Sequence, residues 1–225
     1  MNILLLGPPG AGKGTQGERI SDRLGIPVLA TGNVLRNAVR NGTEQGRAAK
    51  SYMDRGDLVP DAVILGIIKE VLAQPDMKGG VILDGVVRTV AQAEGLNSAL
   101  SDLGRHLDAV LLFEVTDEDL IRRLGGRTVC ERCQTPYTGK DAGSACPKPG
   151  CGGKVVRRMD DEPDAITTRM KAYRAQTAPV VDWYRDQGSK AGRSASNANG
   201  TRVIAIDAAG AVEEVTQRVL RRLEE

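Results

Sequence analysis

The sequence predicts an α/β fold: a five-stranded parallel sheet with helices on both faces. Five short apolar runs bounded by turn residues recur along the chain, at Ile3–Leu6, Val28–Ala30, Val81–Leu83, Ala109–Val115 and Val203–Ile206. Helical patterns separate these runs, and strands that alternate with helices lie parallel with both sheet faces covered. At 225 residues, 40% of them hydrophobic, the chain can bury a full core as one domain with insertions or as two small ones.

The first strand runs into GPPGAGKGT, from Gly7 to Thr15, and a helix begins near Lys13. Strand, glycine loop and helix in that order make an anion cradle: backbone N–H groups and the helix N-terminus face inward, and the lysine adds a mobile positive charge. Glycines at 7, 10 and 12 permit backbone conformations and close approaches that a Cβ would block. The ligand this predicts is a nucleoside phosphate. Gly14 follows the lysine where such loops usually carry Ser or Thr, and the hydroxyl comes one residue later at Thr15.

Further helices are expected to begin near Asn33, Thr43, Asp61, Thr89, Asp117, Asp161 and Ala211, several of them led by Asp, Asn or Thr as N-caps. Pro163 falls in the first turn of an Asp161–Gln187 helix, where a missing N–H costs nothing, whereas Pro179 should bend or interrupt that helix. The polar stretch Gly188–Gly200 reads as a mobile surface loop. Two segments do not fit the sheet. Thr31–Pro60 is mostly helical and suits a small flap between the second strand and the next helix. Arg123–Arg158, rich in glycine and turn residues, suits an insertion folded around something other than an apolar core.

Charge is nearly balanced, with 31 basic and 29 acidic residues, which argues against general attraction to nucleic acid or membrane. A single phenylalanine, Phe113, and a single tryptophan, Trp183, leave little for base-stacking platforms. No basic region precedes the first apolar run, which is only a strand long, so neither a signal peptide nor a membrane span is expected and the location is read as cytoplasmic. In that reducing compartment Cys130, Cys133, Cys146 and Cys151 read better as metal ligands than as disulfides. Their C-x2-C-x12-C-x4-C pattern opens with the spacing of a zinc knuckle, while the second pair is wider than usual, and free thiols are the alternative. Four cysteine ligands would make a closed structural zinc site in a segment with few apolar residues. A catalytic thiol is disfavoured because no histidine lies nearby, and the one histidine, His106, reads as a surface residue.

In the form GxxGxGKGT the loop resembles that of nucleoside monophosphate kinases, and nearly the whole chain resembles adenylate kinases of the long-lid form. The resemblance implies a P-loop kinase with two mobile inserted subdomains: a core of residues 1–30, 61–122 and 159–225, an AMP-binding subdomain of residues 31–60, and a lid of residues 123–158. It implies reversible, magnesium-dependent transfer between ATP and AMP to give two ADP, with the lid closing over the phosphates. A monomer with no nucleic-acid or membrane partner is expected. The nearest alternatives are a kinase using GTP or another donor, and a weakly active regulatory nucleotide-binding protein.

Site residues follow motif by motif. Gly10, Ala11, Gly12, Lys13, Gly14 and Thr15 would hold ATP. TGNVLR resembles the family's TGD-x-LR, which would put Thr31 near the adenine of AMP and Arg36 on its phosphate. DLVPD resembles the hinge out of the flap, with Leu58 and Val59 against the AMP ribose and base. LDGVVRT resembles LDGFPRT, so Asp84 would organise magnesium, Gly85 would border AMP and Arg88 would clamp the AMP phosphate. Gln92, a turn further, is similar to the glutamine that reads the adenine edge with a paired donor and acceptor. In RRLGGR, Arg123 and Arg127 align with the family's arginines that cover ATP, which would put both over that nucleotide. RRMDDEPDAITTR matches Arg158 and Arg169 to the family's pair of phosphate arginines, and Asp160 and Asp161 to its Asp-Asp pair. Lys13, Asp84, Arg88, Arg123, Arg158 and Arg169 would carry the chemistry, which needs positioning and positive charge but no general base, since the acceptor is already an anion. Arg105, Arg193 and Arg221 lie outside every motif and read as solvated charges. Three departures, Asn33 for aspartate, Val86-Val87 for Phe-Pro, and Thr128 for a second arginine after Arg127, bear on rate and rigidity more than on reaction class.

Overall fold

A computed structural model of the chain describes residues 1–40, 42–55, 57–158, 161–189 and 200–225. Its strands are β1 (Asn2–Leu6), β2 (Val28–Ala30), β3 (Val81–Asp84), β4 (Ala109–Glu114), β5 (Arg127–Cys130), β6 (Pro136–Thr138), β7 (Val155–Val156) and β8 (Arg202–Asp207). Its helices are α1 (Lys13–Leu24), α2 (Thr31–Arg40), α3 (Glu44–Arg55), α4 (Asp61–Leu72), α5 (Val90–Asp102), α6 (Asp117–Gly125), α7 (Pro163–Ala172), α8 (Ala178–Ser189) and α9 (Val212–Glu224).

The expected five-stranded parallel sheet forms in the order β2-β3-β1-β4-β8, with Ile3 in register with Ile82 on one side and Ala109 on the other. Residues of alternate parity pack on opposite faces. Leu4, Leu83, Val110 and Leu112 meet Ile68, Leu96 and Tyr184, while Ile3, Leu5, Leu111 and Phe113 meet Ile20, Val215 and Val219. Burial on both faces is why these strands read as unbroken apolar runs. Chain connections leave β1 and reverse around it, so a crevice opens beyond the carboxyl ends of β1, β3 and β4.

The structure departs from expectation in four places. Helix α2 begins at Thr31, directly after β2, rather than near Asn33. The single helix expected over Asp161–Gln187 starts at Pro163 and is divided by a π-turn at Tyr173–Thr177, where the Ala178 N–H reaches Tyr173 O instead of the usual carbonyl one residue nearer. Pro179 explains the widening, because it has no N–H to give and its ring crowds the preceding turn. A second, antiparallel sheet in the order β6-β5-β7 occupies the cysteine-bearing segment. Finally, Arg105 is not simply solvated: it donates to Asn2 Oδ1, helping to hold the first strand.

The stretch expected to be a loop, Gly188–Gly200, begins inside α8, and its residues 190–199, Arg193 among them, lie outside the described residues. Arg221 is exposed, and the His106 side chain is largely exposed beside Asp108. Among the described residues no helix is long and apolar enough to cross a membrane.

Candidate active site

Every nucleotide-site residue expected from the sequence lines one cleft of about 800 Å³ at the carboxyl ends of the sheet strands. Its floor is the loop after β1. At Gly7 a Cβ would lie 2.7 Å from the carbonyl oxygen of Phe113, so only glycine lets the chain turn off the sheet there. Gly12 stands at the N-cap of α1 in the left-handed region, with φ 91°, and directs the first amides of the helix toward the cleft. A Cβ on Gly14 would come within 3.2 Å of Asp84 Oδ2, so the absence of a side chain after the lysine lets the β3 carboxylate approach the loop.

Lys13 folds back onto the loop, its Nζ donating to Gly7 O at 2.7 Å and Pro8 O at 2.9 Å. Burial lowers its pKa to about 8; Asp84 opposes that shift, and Arg88, Arg169 and Arg127 add to it. A lysine surrounded by so much positive charge sits where an anion would be stabilised. Asp84 is a carboxylate facing that anion cradle, where alone it would repel a phosphate, so the donor chemistry fits a divalent cation between them.

A second side of the cleft comes from α2, the β3 turn and the start of α5. Thr31 is buried and donates to Gly85 O at 2.7 Å. Arg36 donates from Nε to Gln134 Oε1 at 3.0 Å and from Nη2 to Asn33 Oδ1. Asn33 therefore bears on Arg36: an amide orients the guanidinium where an aspartate would also neutralise it. Leu58 and Val59 line the cleft ahead of α4.

Gln92 is buried with both ends of its amide engaged, Oε1 accepting from Arg88 N and Nε2 donating to Asp61 Oδ1, each at 2.7 Å. Thr89 caps α5 and donates to Asp61 Oδ2 at 3.1 Å. Thr177, in the π-turn, donates to Arg88 O at 3.0 Å. The turn that carries Arg88 is thus fastened by hydrogen bonds and by the buried pair Val86-Val87, which compensates for the missing Phe-Pro ring. Thr128 is buried in β5 and donates to Lys140 O, a part in the second sheet rather than in the cleft.

Arginines close the third side. Arg123 donates to Ala208 O at 2.8 Å. Arg127 grips Asp161 with Nε and Nη2, Arg169 donates to the same carboxylate at 2.8 Å, and Arg158 stands 4.0 Å from it. Asp161 is only 4% exposed, so this carboxylate gathers three guanidinium groups from separate elements. Its role as a hub was not visible in the sequence, where it appeared only as half of a matched pair; Asp160 lies outside the described residues. Asp61 and Gln134 were likewise not singled out as site residues. For Asp61 the signal available was its place at a helix start after Pro60; for Gln134 there was none.

The four cysteine sulfurs lie within 4.8 Å of one another. Cys130 and Cys151 are 3.5 Å apart and Cys133 and Cys146 are 3.8 Å apart. Disulfides require about 2.05 Å, whereas a tetrahedral ion about 2.3 Å from each sulfur gives edges of about 3.8 Å. The amides of Arg132 and Cys133 donate to Cys130 Sγ, the sort of outer hydrogen bond that steadies a thiolate ligand. The donor set fits zinc in a closed structural site, and the wide second gap does not prevent convergence.

A parallel sheet with a glycine cradle, a lysine and a ring of arginines defines a P-loop nucleotide-binding protein. The sequence profile described as Adenylate kinase matches residues 5–189. An adenylate kinase of Gemmatimonas aurantiaca is 56% identical over 223 residues, covering 99% of both chains. Adenylate kinases of Methanosarcina barkeri and Archaeoglobus fulgidus are 48% and 45% identical, each alignment covering 84% of this chain and 88% of the relative. The chain belongs to the adenylate kinase family.

Proposed function

We propose that the cleft performs the reaction of this family, moving the terminal phosphoryl group of ATP reversibly to AMP to give two ADP. A nonbridging oxygen of the AMP phosphate forms a bond to the γ-phosphorus as the bond from that phosphorus to the ADP oxygen breaks. The observation that carries this reading is the convergence of Lys13, Arg88, Arg123, Arg127, Arg158 and Arg169 on one cleft above a phosphate cradle. Charge accumulates on the phosphoryl oxygens in flight, and fixed cations in a dry site stabilise it.

In this assignment Gly10 to Thr15 cradle the ATP phosphates, Arg123 and Arg127 cover them, and Arg158 and Arg169 bridge donor and acceptor. Thr31, Leu58, Val59, Gly85 and Gln92 border the AMP nucleoside, and Arg36 and Arg88 hold its phosphate. Asp84 would hold Mg2+ with its waters; magnesium bound with ATP supplies charge neutralisation on the phosphates. The four cysteines would hold Zn2+, which folds the lid and leaves the chemistry to the arginines.

We take residues 31–60 and 123–158 as inserted subdomains on a core of 1–30, 61–122 and 159–225, a division supported by the separate sheet β6-β5-β7. Closure of the lid would bring the guanidinium groups together and exclude water, which otherwise competes as acceptor. Both nucleotide sites lie in one chain, which supports action as a monomer, and we place the protein in the cytoplasm, where its substrates are.

A coupled assay over a panel of nucleoside triphosphates and monophosphates tests the assignment. ATP and AMP are expected to give the highest kcat/KM; UMP or CMP exceeding AMP, or GTP exceeding ATP, would reassign the enzyme within the wider class of monophosphate kinases.

A further inference from the structure

Among the described residues one position other than glycine has a positive φ: Gln134, at 60°, immediately after the second cysteine of the knuckle. A Cβ disfavours this region, which goes routinely to glycine and sometimes to Asn or Asp. A glutamine here is held against a backbone cost that its side chain offsets. Its Nε2 donates to Glu131 O at 2.9 Å and Cys130 O at 3.3 Å, which turns Oε1 toward the cleft. There Oε1 accepts from Arg36 Nε at 3.0 Å, across 98 positions of sequence. Asn33 Oδ1 accepts from the same guanidinium at Nη2.

Two neutral amide oxygens are thus among the partners of Arg36. Such acceptors fix the direction of a guanidinium without cancelling its charge, whereas a carboxylate in either place would form an ion pair that competes with an incoming phosphate. One helical turn further along α2, Arg40 donates to Glu131 O at 2.7 Å, so the docking of this helix on the knuckle does not depend on Gln134 alone. What Gln134 adds is the orientation of Arg36.

We propose that Gln134 is a positioning residue for the acceptor nucleotide: reaching from the zinc knuckle, it aims Arg36 at the AMP phosphate, so that acceptor affinity is set in part from the lid. The proposal rests on the assignment of Arg36 to that phosphate.

Steady-state kinetics on the full chain, purified with zinc, test it through Gln134→Gly, Gln134→Met and Arg36→Ala. Glycine suits the backbone and deletes the grip, while methionine keeps the length and the backbone cost but accepts hydrogen bonds poorly. Both Gln134 variants are expected to raise KM for AMP roughly three- to tenfold, the size of one ordinary net hydrogen bond, because Asn33 still holds the guanidinium. KM for ATP and kcat should stay within about twofold of the parent on the same basis, and Gln134→Gly should melt no lower than the parent. An unchanged KM for AMP in both variants overturns the proposal, and so does an equal rise for both nucleotides, which would mark a general lid defect. A rise confined to one variant would trace to backbone or bulk rather than the hydrogen bond, and overturns it too. If Arg36→Ala leaves KM for AMP unaltered, the assignment beneath the proposal fails and the proposal falls with it; if Arg36→Ala raises it and the Gln134 variants do not, the proposal alone fails.

Discussion

Leu4 in the main sheet and Val129 in the small one are both buried strand residues, yet the sheets around them are held by different forces. Leu4 lies among some two dozen buried apolar side chains on its face of the parallel sheet. Val129 has little more than Cys130 and Val155 for buried company, in strands of two to four residues, with four sulfurs gathered beside them. Both regions supply positive groups to the same cleft. The glycine loop does so rigidly, because it leaves a strand buried in the core; the arginines of the other side depend on a carboxylate, Asp161, and on the cysteine knuckle. The two halves of this cleft, held by different means, can therefore be damaged separately.

Lys13→Met should give the largest effect on rate. Preorganised charges of this kind are worth about 2–4 kcal/mol in the transition state, so kcat should fall on the order of a hundredfold or more, and Arg88→Ala should match it. Folding should survive, since Lys13→Met removes a charge whose burial is already unfavourable. Near-normal kcat in either variant, with the protein folded, would deny these groups their place on the phosphate path.

Stability separates the two regions next. Leu4→Ala should cost about 2–5 kcal/mol of global stability, as large-to-small core substitutions do, and leave zinc content as in the parent. Cys130→Ser with Cys133→Ser should instead abolish the roughly one zinc per chain expected of the parent and lower the melting temperature, while kcat measured well below the transition changes modestly. Metal analysis alongside calorimetry decides the matter: a parent that folds without metal, or a cysteine variant that loses activity as completely as Lys13→Met, would erase the distinction between support and chemistry.

The smallest effect is on pH dependence. Lys13 has a folded pKa of about 8 against an ordinary 10.5, so between those values the unfolded chain binds more protons than the folded one. Through this group, the stability of the nucleotide-free protein should rise as pH climbs from about 8 toward 10.5. A bound phosphate favours the charged lysine, so the stabilisation conferred by ATP should shrink over the same range. Thermal melts with and without ATP at several pH values check both slopes, and Lys13→Met should flatten them.

The main sheet was legible in the sequence because both its faces are buried, so its strands appear as apolar runs that polar turns interrupt. The cradle was legible because its chemistry is local, contained within Gly7 to Thr15. The small sheet was not, since strands as short as Val155–Val156 leave no periodic pattern to read. Convergence was the harder matter. Nothing in the sequence ties Asp161 to Arg127 across 34 residues, or Asp61 to Gln92 across 31, because those partners meet only after the helices that carry them have packed. Pro179 did announce a break in its helix, though not that the chain would answer by widening a turn rather than bending.

That wide turn at Tyr173–Thr177 works as an offset coupling between two lengths of one shaft. On one side of it α7 carries Arg169 into the cleft; on the other α8 carries Val180 and Tyr184 into the core, and Thr177 at the joint holds the carbonyl of Arg88. A π-turn closes over one residue more than an α-turn, so the joint takes up that extra residue in about one turn and leaves the two lengths facing much as they would on a plain helix. Arg169 and Tyr184 therefore keep their seats on either side of the joint. The spare residue is thus slack taken up at the joint, where Thr177 is left to hold Arg88 without turning either length of the shaft.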